Sequence, residues 1–220
     1  MVSERMTVEK LSKYVAIVGS DEAGKGEWLG PLTVAAVALT PEQSSYLITQ
    51  GVMDSKELKI EKIIELSDII RKKCLSYHVI TITPKKFNLL LLEVKREGKS
   101  LNDILAWGHA KAISEVYQEL QDKKIFGRVK LVIDEFDKLK TEKRLSRVLK
   151  LTNFDLEQKP HAEEETAVAA ASILARAARE FWIDDASKRL NLNLRNISAT
   201  EAMSYTNVEY FAKLSFLHRK

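Results

Sequence analysis

Acidic residues that could hold a metal ion occur at three places in the chain. Asp21 and Glu22 are adjacent within GSDEAGKG (19–26), Asp134 ends the apolar stretch LVID, and three glutamates occupy 163–165. A buried aspartate is costly unless it is paired, hydrogen-bonded or coordinated. Carboxylate oxygens are the ligands that Mg²⁺ takes, and a carboxylate cage suits a phosphate substrate. The alternative is that these carboxylates cap a loop or a helix end at the surface and bind nothing.

The segment GSDEAGKG also has most of the spacing of a nucleotide-binding phosphate loop. Such a loop needs a Ser or Thr after its lysine to hold magnesium, and a helix directly after it. Here Gly26 follows Lys25, and the turn WLGP leads into another apolar run. A degenerate phosphate loop at 19–26 therefore stays only as an alternative. Without a Cβ, Gly24 and Gly26 let backbone amides approach an anion or a ribose, and Lys25 and Lys56 are candidate phosphate contacts.

Short, β-branched apolar runs bounded by Gly, Pro or acidic residues predict the strands of a sheet. The predicted strands cover residues 14–20, 32–40, 77–83, 130–136 and 151–158.

Apolar residues at helical spacing predict the helices between and after these strands. One helix begins with a capping-box pattern, in which Asp103 takes the place of the usual glutamate three residues after Ser100. The predicted helices cover residues 58–73, 85–98, 100–120, 139–151 and 159–190.

The order of these elements indicates one α/β domain over residues 1–220, with a helical C-terminal part from about residue 187. Ligands bind at the carboxyl edge of such sheets, where Asp21 and Asp134 both lie. Adjacent residues of a strand point to opposite faces, so Asp21 and Asp134 could share a site that Glu22 reaches through the following turn.

Composition fits a globular cytoplasmic protein. Hydrophobic residues make up 45% and charged residues 30% of the 220 positions, which allows a sizeable core. The chain lacks an apolar run of about 18 residues, so no membrane span is expected. Its N-terminus does not look like a secretory signal. Cys74 is the single cysteine, which excludes an internal disulfide and a cysteine-based zinc site. The net charge of +4 is compatible with a polyanionic partner.

Several motifs in order resemble the ribonuclease H type 2 family, which comprises ribonucleases HII and HIII. GSDEAGKGEWLGP followed by GVMDSKEL resembles the opening of those enzymes, and AVAAASILARAARE resembles a helix near the end of both types. SLNDILAWGHAKAI, LVIDEF and FAKLSF are more similar to HIII segments. The pair Arg179-Glu180 resembles an Arg-Asp pair of HII. The ordered set extends over roughly residues 15–216.

The resemblance implies a ribonuclease H-like fold, with a mixed central sheet flanked by helices. It implies a monomeric, metal-dependent endonuclease that cuts the RNA strand of RNA–DNA hybrids with two Mg²⁺ or Mn²⁺ ions, as used in DNA replication and repair. The products would carry 5′-phosphate and 3′-hydroxyl ends. A protein that binds hybrids without cutting them is a second alternative. The four acids of the family correspond to Asp21, Glu22, Asp134 and, by the similarity of His161-Ala162-Glu163 to a Lys-Ala-Asp/Glu segment, Glu163, with Glu164 as a rival.

The chain departs from both types. HIII enzymes usually carry an N-terminal substrate-binding domain, and with about thirteen residues before the first predicted strand we do not expect one here. HII enzymes usually have a Gly-Tyr-Gly segment whose tyrosine stacks at the RNA–DNA junction. Here SATEAMSYTNVEYF offers Tyr205 or Tyr210 without the flanking glycines, so poor recognition of a single ribonucleotide is expected.

Overall fold

The computed structural model describes residues 14–134, 154–159 and 165–217. Its centre is a five-stranded mixed sheet of order β3-β2-β1-β4-β5. β1 and β3 each pair antiparallel with β2, whereas β4 lies parallel to both β1 and β5. The strands are β1 (Ala16–Ala23), β2 (Leu32–Leu39), β3 (Ser76–Ile82), β4 (Val129–Asp134) and β5 (Phe154–Lys159).

Helices cover both faces of this sheet, which confirms the predicted α/β architecture. They are α1 (Pro41–Thr49), α2 (Ile60–Lys73), α3 (Pro84–Arg96), α4 (Leu101–Asp122), α5 (Thr166–Leu190), and the short α6 (Ala199–Ala202) and α7 (Leu214–Leu217). Single 3₁₀ turns occur at Ser55–Glu57, Leu194–Asn196 and Val208–Tyr210.

Alternate residues of β1 face different helices. Ile17 packs in a cluster with α2 and α5, whereas Val18 packs in a cluster with α4. The α5 side is very close, because a Cβ on Gly19 would lie 2.2 Å from backbone atoms of Ala167 and Val168. Only glycine permits this approach, which brings the first turn of α5 directly against β1.

The C-terminal part, residues 194–217, consists of short helical segments joined by turns and covers the second half of α5. Ile183 and Ala186 of α5 share a buried cluster with Phe211, Ala212 and Leu217. An isolated bridge joins Leu29 to Ala212 and ties this part to the turn before β2. The assignment of residues 1–220 to one domain stays a prediction.

Two element boundaries differ clearly from those predicted. β1 does not end at Ser20, because its last three residues continue the ladder with β2 through Ala23 and Thr33. The long helix begins at Thr166 instead of 159, since residue 159 still pairs with Asp134 in β5. The predicted basic helix 139–151 lies outside the described residues.

Helix α1 was missed, although its start has a local signal. Thr40 and Gln43 form a reciprocal capping box, and Pro41 occupies the first helical position. Both features favour a helix start. The segment lacks a strong apolar period, since Leu47 is its buried residue, and periodicity therefore did not reveal it.

Candidate active site

Asp21 and Glu22 lie inside β1, two residues and one residue before its end, and point to opposite faces of the sheet. Asp21 is on the face of Ile17 and Gly19 that α5 covers, and Glu22 is on the α4 face. Both carboxylates still line one pocket of about 550 Å³, because the strand ends there. Glu22 therefore reaches the site from within the strand. The sequence had suggested that it would reach the site through the following turn.

Two basic side chains contact the Glu22 carboxylate. Its Oε2 lies 3.1 Å from His109 Nε2 on α4, and its Oε1 lies 3.2 Å from Lys25 Nζ. Burial raises the pKa of this carboxyl, but the hydrogen bonds and charges of His109 and Lys25 outweigh it and lower the pKa to about 2. Glu22 is consequently ionised at neutral pH.

Asp21 is 8% exposed, and its Oδ1 accepts a hydrogen bond of 2.7 Å from the backbone amide of Glu22. Asp134 ends β4 and directly follows Ile133, which pairs with Ser20, the residue before Asp21. Two of the four predicted acids thus have neighbouring backbone positions at the carboxyl ends of parallel strands. Among the described side chains, no three carboxylate, imidazole or thiol groups come together as a metal site. Glu163 and Glu164 lie outside the described residues.

The turn after β1 carries the predicted substrate contacts. Gly24 and Gly26 have φ of +85° and +83°, and a Cβ on Gly24 would lie 2.3 Å from the Pro31 carbonyl oxygen. Gly24 and Lys25 line the pocket, and Lys25 is 40% exposed. The chain then enters β2, antiparallel to β1, so the phosphate-loop alternative lacks the helix that it needs.

Lys56 also lines the pocket and lies in the 3₁₀ segment that precedes α2. Asp54 caps this segment by accepting from the Lys56 amide at 3.0 Å. The hydroxyls of Ser55 and Ser172 are 2.7 Å apart, and Arg176 donates to the Ser55 carbonyl. These contacts join the Asp-Ser-Lys segment to α5 and fix the backbone position of Lys56.

Helix α5 adds two arginines to the pocket, to which the sequence had given no role. Arg176 and Arg179 both line the pocket. Arg179 is buried, pairs with Glu180 at 2.7 Å and with Glu27, and donates to the Leu29 carbonyl at 3.1 Å. With Lys25 and Lys56, the arginines place four cationic groups around the carboxylates. This mixture suits a polyanionic ligand that approaches together with cations.

His109 was also missed. It lies on α4 next to Gly108, where an added Cβ would come within 2.9 Å of Val34 Cγ2, so helix and strand are close. The sequence signal was weak, since a single histidine on an apolar helix face usually belongs to the core. Its contact with Glu22 joins residues 87 positions apart and depends on packing alone.

Neither candidate junction tyrosine lines the pocket. Tyr205 packs edge-on against Phe211, with ring centroids 5.9 Å apart, and its hydroxyl is 3.5 Å from Glu201. Tyr210 accepts from Lys85 Nζ at 2.8 Å, and the same ammonium lies 4.2 Å from its ring centroid.

The described part of the chain contains no helix that is long and apolar enough to cross a membrane. Its fold and its acidic edge define the class of ribonuclease H-like proteins. The Mn²⁺ complex of Bst-RNase HIII superimposes with a TM-score of 0.75 at 23% identity, over 96% of this chain and 70% of that one. This similarity confirms the predicted ribonuclease H-like fold.

The family model described as ribonuclease HII matches residues 18–210. The chain is 39% identical over 179 residues to a ribonuclease HIII of Protochlamydia amoebophila, covering 80% of this chain and 55% of the relative. It is 37% identical over 213 residues to a ribonuclease HIII of Chlamydia pneumoniae, covering 92% of this chain and 67% of the relative. The chain belongs to the type 2 ribonuclease H family, and it spans about half to two thirds of the length of these curated relatives.

Proposed function

We propose that this protein is an endoribonuclease that hydrolyses the RNA strand of RNA–DNA hybrids and leaves 5′-phosphate and 3′-hydroxyl ends. The observation that carries the proposal is the pair Asp21 and Glu22 at the end of β1, within a pocket that cationic side chains also line. Hydrolysis of a phosphodiester builds negative charge on the phosphoryl and leaving oxygens. A pocket with this lining can bind the nucleic-acid backbone close to the place where that charge develops.

The carboxylates present fit divalent metal ions. Glu22 is ionised, Asp21 is buried, and oxygen donors are what Mg²⁺ and Mn²⁺ take. Asp21, Glu22, Asp134 and Glu163 would hold two such ions. When bound, the ions would supply activation of the attacking water and stabilisation of the leaving oxygen.

The other pocket residues would bind and orient the hybrid. Lys25, Lys56 and Arg176 line the pocket and would contact phosphates of a bound strand. Phosphate contacts of this kind fix position without reading sequence. Selection for RNA requires reading a 2′-hydroxyl, for which the backbone groups from Glu22 to Gly26 are the candidates.

Cleavage of a labelled RNA–DNA hybrid with Mg²⁺ or Mn²⁺ tests the proposal, with Asp21→Asn as the variant. The amide is nearly the same size but lacks the charge that holds a cation, so we expect activity to fall by about 10³-fold or more, while the hybrid still binds. An unchanged thermal midpoint serves as the control for folding. If the wild type binds the hybrid and cuts nothing, the protein is a non-catalytic hybrid-binding protein. If Asp21→Asn cuts at the wild-type rate, Asp21 is not in the site.

Substrate choice gives a second prediction. Stacking of a base or sugar on an aromatic ring is worth about 1–3 kcal/mol, and no tyrosine of the described residues lines the pocket. We expect a duplex with one ribonucleotide to be cut about 5- to 150-fold more slowly than one with four or more in a row. Equal rates would refute this expectation. A Tyr205→Ala variant that slowed only the single-ribonucleotide reaction would identify Tyr205 as the sensor.

A further inference from the structure

A chain of buried hydrogen bonds leads from β2 through β1 and α4 back to Glu22. The Ser20 hydroxyl donates to the Ala35 carbonyl at 2.7 Å, and the same oxygen lies 2.8 Å from His109 Nδ1. The carboxylate of Glu22 only accepts, so Nε2 donates to it. The ring of His109 is therefore hydrogen-bonded at both nitrogens, to Ser20 on one side and to Glu22 on the other.

The two oxygens of Glu22 consequently have different environments. Oε2 faces a ring that is fully buried and fixed at its other end by Ser20. Oε1 faces Lys25, whose side chain is flexible, 40% exposed and at the pocket wall. A ligand that enters the pocket can displace the lysine from Oε1 but cannot displace the buried ring from Oε2.

The position of the ring is set by the backbone around it. Gly108 lets α4 approach β2 so closely that an added Cβ would come within 2.9 Å of Val34 Cγ2. Ser20 fixes the ring plane from the strand beside it. A buried polar ring held at both ends can orient a carboxylate more precisely than an exposed side chain can.

We propose that His109 is a positioning residue for metal binding. By holding Oε2, it presents Oε1 alone to a cation and makes Glu22 a one-oxygen ligand of fixed direction. This inference rests on the proposed function, in which Glu22 holds a divalent ion. It assigns to α4 a part in the site that no acidic motif indicates.

Three substitutions separate the two hydrogen bonds of the ring. His109→Gln places an amide near the position of Nε2 and can still donate to Glu22. His109→Asn places one near Nδ1 and can hydrogen-bond only to Ser20. His109→Leu removes both hydrogen bonds at similar volume. Thermal midpoints of all three report the stability of the fold separately from metal binding.

Affinity for Mn²⁺ is measured by calorimetry on the free protein, together with the Mn²⁺ concentration that gives half-maximal hybrid cleavage. Loss of a hydrogen bond to a metal ligand typically costs 10- to 100-fold in affinity, so we expect a loss of about that size in the Asn and Leu variants. The Gln variant should stay within about 3-fold of wild type, because its donor to the ligand remains.

Equal Mn²⁺ affinities for the Gln and Asn variants would overturn the inference, whatever their thermal midpoints, since the donor to Glu22 would then be irrelevant. Should the Leu variant not fold, this Gln-against-Asn comparison decides alone. Glu22→Gln distinguishes the two levels of the argument. If it leaves Mn²⁺ affinity at the wild-type value, Glu22 is not a ligand and the metal assignment in the proposed function fails. If Glu22→Gln weakens Mn²⁺ binding while His109→Asn and His109→Gln have equal Mn²⁺ affinities, only the role of His109 fails.

Discussion

The α5 face and the α4 face of β1 hold two adjacent carboxylates by different means. On the α5 face the contact is between backbones, because Gly19 lets the first turn of α5 lie against the strand beside Asp21. On the α4 face the contact is between polar side chains, through Ser20, His109 and Glu22. The first arrangement fixes a distance, and the second fixes the direction of a side chain. A site that needs both can therefore be built at one strand end.

The backbone contact should be the more sensitive of the two to added volume. Gly19→Ala would place a methyl group 2.2 Å from atoms of Ala167 and Val168 that cannot rotate away. We expect the free energy of unfolding to fall by about 3 kcal/mol, measured by denaturant titration.

Gly108→Ala is the matched control on the α4 face. Its methyl group would meet a side-chain atom of Val34 at 2.9 Å, and alanine gains about 1 kcal/mol over glycine in helix propensity. The net loss should be about 1 kcal/mol. A loss for Gly108→Ala as large as that for Gly19→Ala would contradict the distinction between the two faces.

Polar deletions should show the reverse order. Ser20→Ala removes the hydroxyl that is hydrogen-bonded to the buried Nδ1 of His109, so we expect a loss of about 2 kcal/mol in the free energy of unfolding. Thr33→Val removes a hydroxyl that donates to the Ala175 carbonyl at 2.8 Å on the α5 face. That carbonyl lies within a helix and keeps its backbone partner, so the loss should be about 1 kcal/mol. Equal losses would mean that stability depends no more on polar contacts at the α4 face than at the α5 face.

Lys213 carries a buried ammonium group and extends the comparison to a third position. No carboxylate among the described residues stabilises its charge as strongly as His109 and Lys25 stabilise the charge of Glu22. Its Nζ donates to the Gly30 carbonyl at 2.5 Å. Burial, followed by the charge of Arg179, lowers the pKa of Lys213 to about 7. The unfolded chain, with a lysine pKa of about 10.4, binds more protons between these two values. Stability from this group therefore rises with pH over that window and is lost as pH falls towards 7.

We expect the free energy of unfolding of the wild type to rise by about 1–2 kcal/mol relative to Lys213→Met between about pH 7 and pH 9. Denaturant titrations of the two proteins at both pH values measure this difference. Methionine keeps most of the volume and does not titrate, which makes it the control. Parallel pH profiles for the two proteins would show that Lys213 does not carry the dependence.

Local patterns in the sequence determined most of the architecture. Apolar β-branched runs predicted the five strands, and the capping box at Ser100 and Asp103 predicted the start of α4. These signals act within a few residues of the chain, so they can be read without the fold. The end of β1 was placed too early, because Asp21 and Glu22 have low intrinsic strand preference and pair with β2 only through the ladder.

The sequence by itself determined that carboxylates end two predicted strands and that a glycine-rich turn with a lysine follows the first. The tertiary structure alone decided that Glu22 faces His109, that Arg176 and Arg179 enter the pocket, and that Lys213 is buried under the turn. The physical reason is the separation in sequence between the residues that interact. A strand end or a turn is specified by neighbouring residues, whereas a hydrogen bond between residues 87 positions apart exists only after helix and sheet have packed.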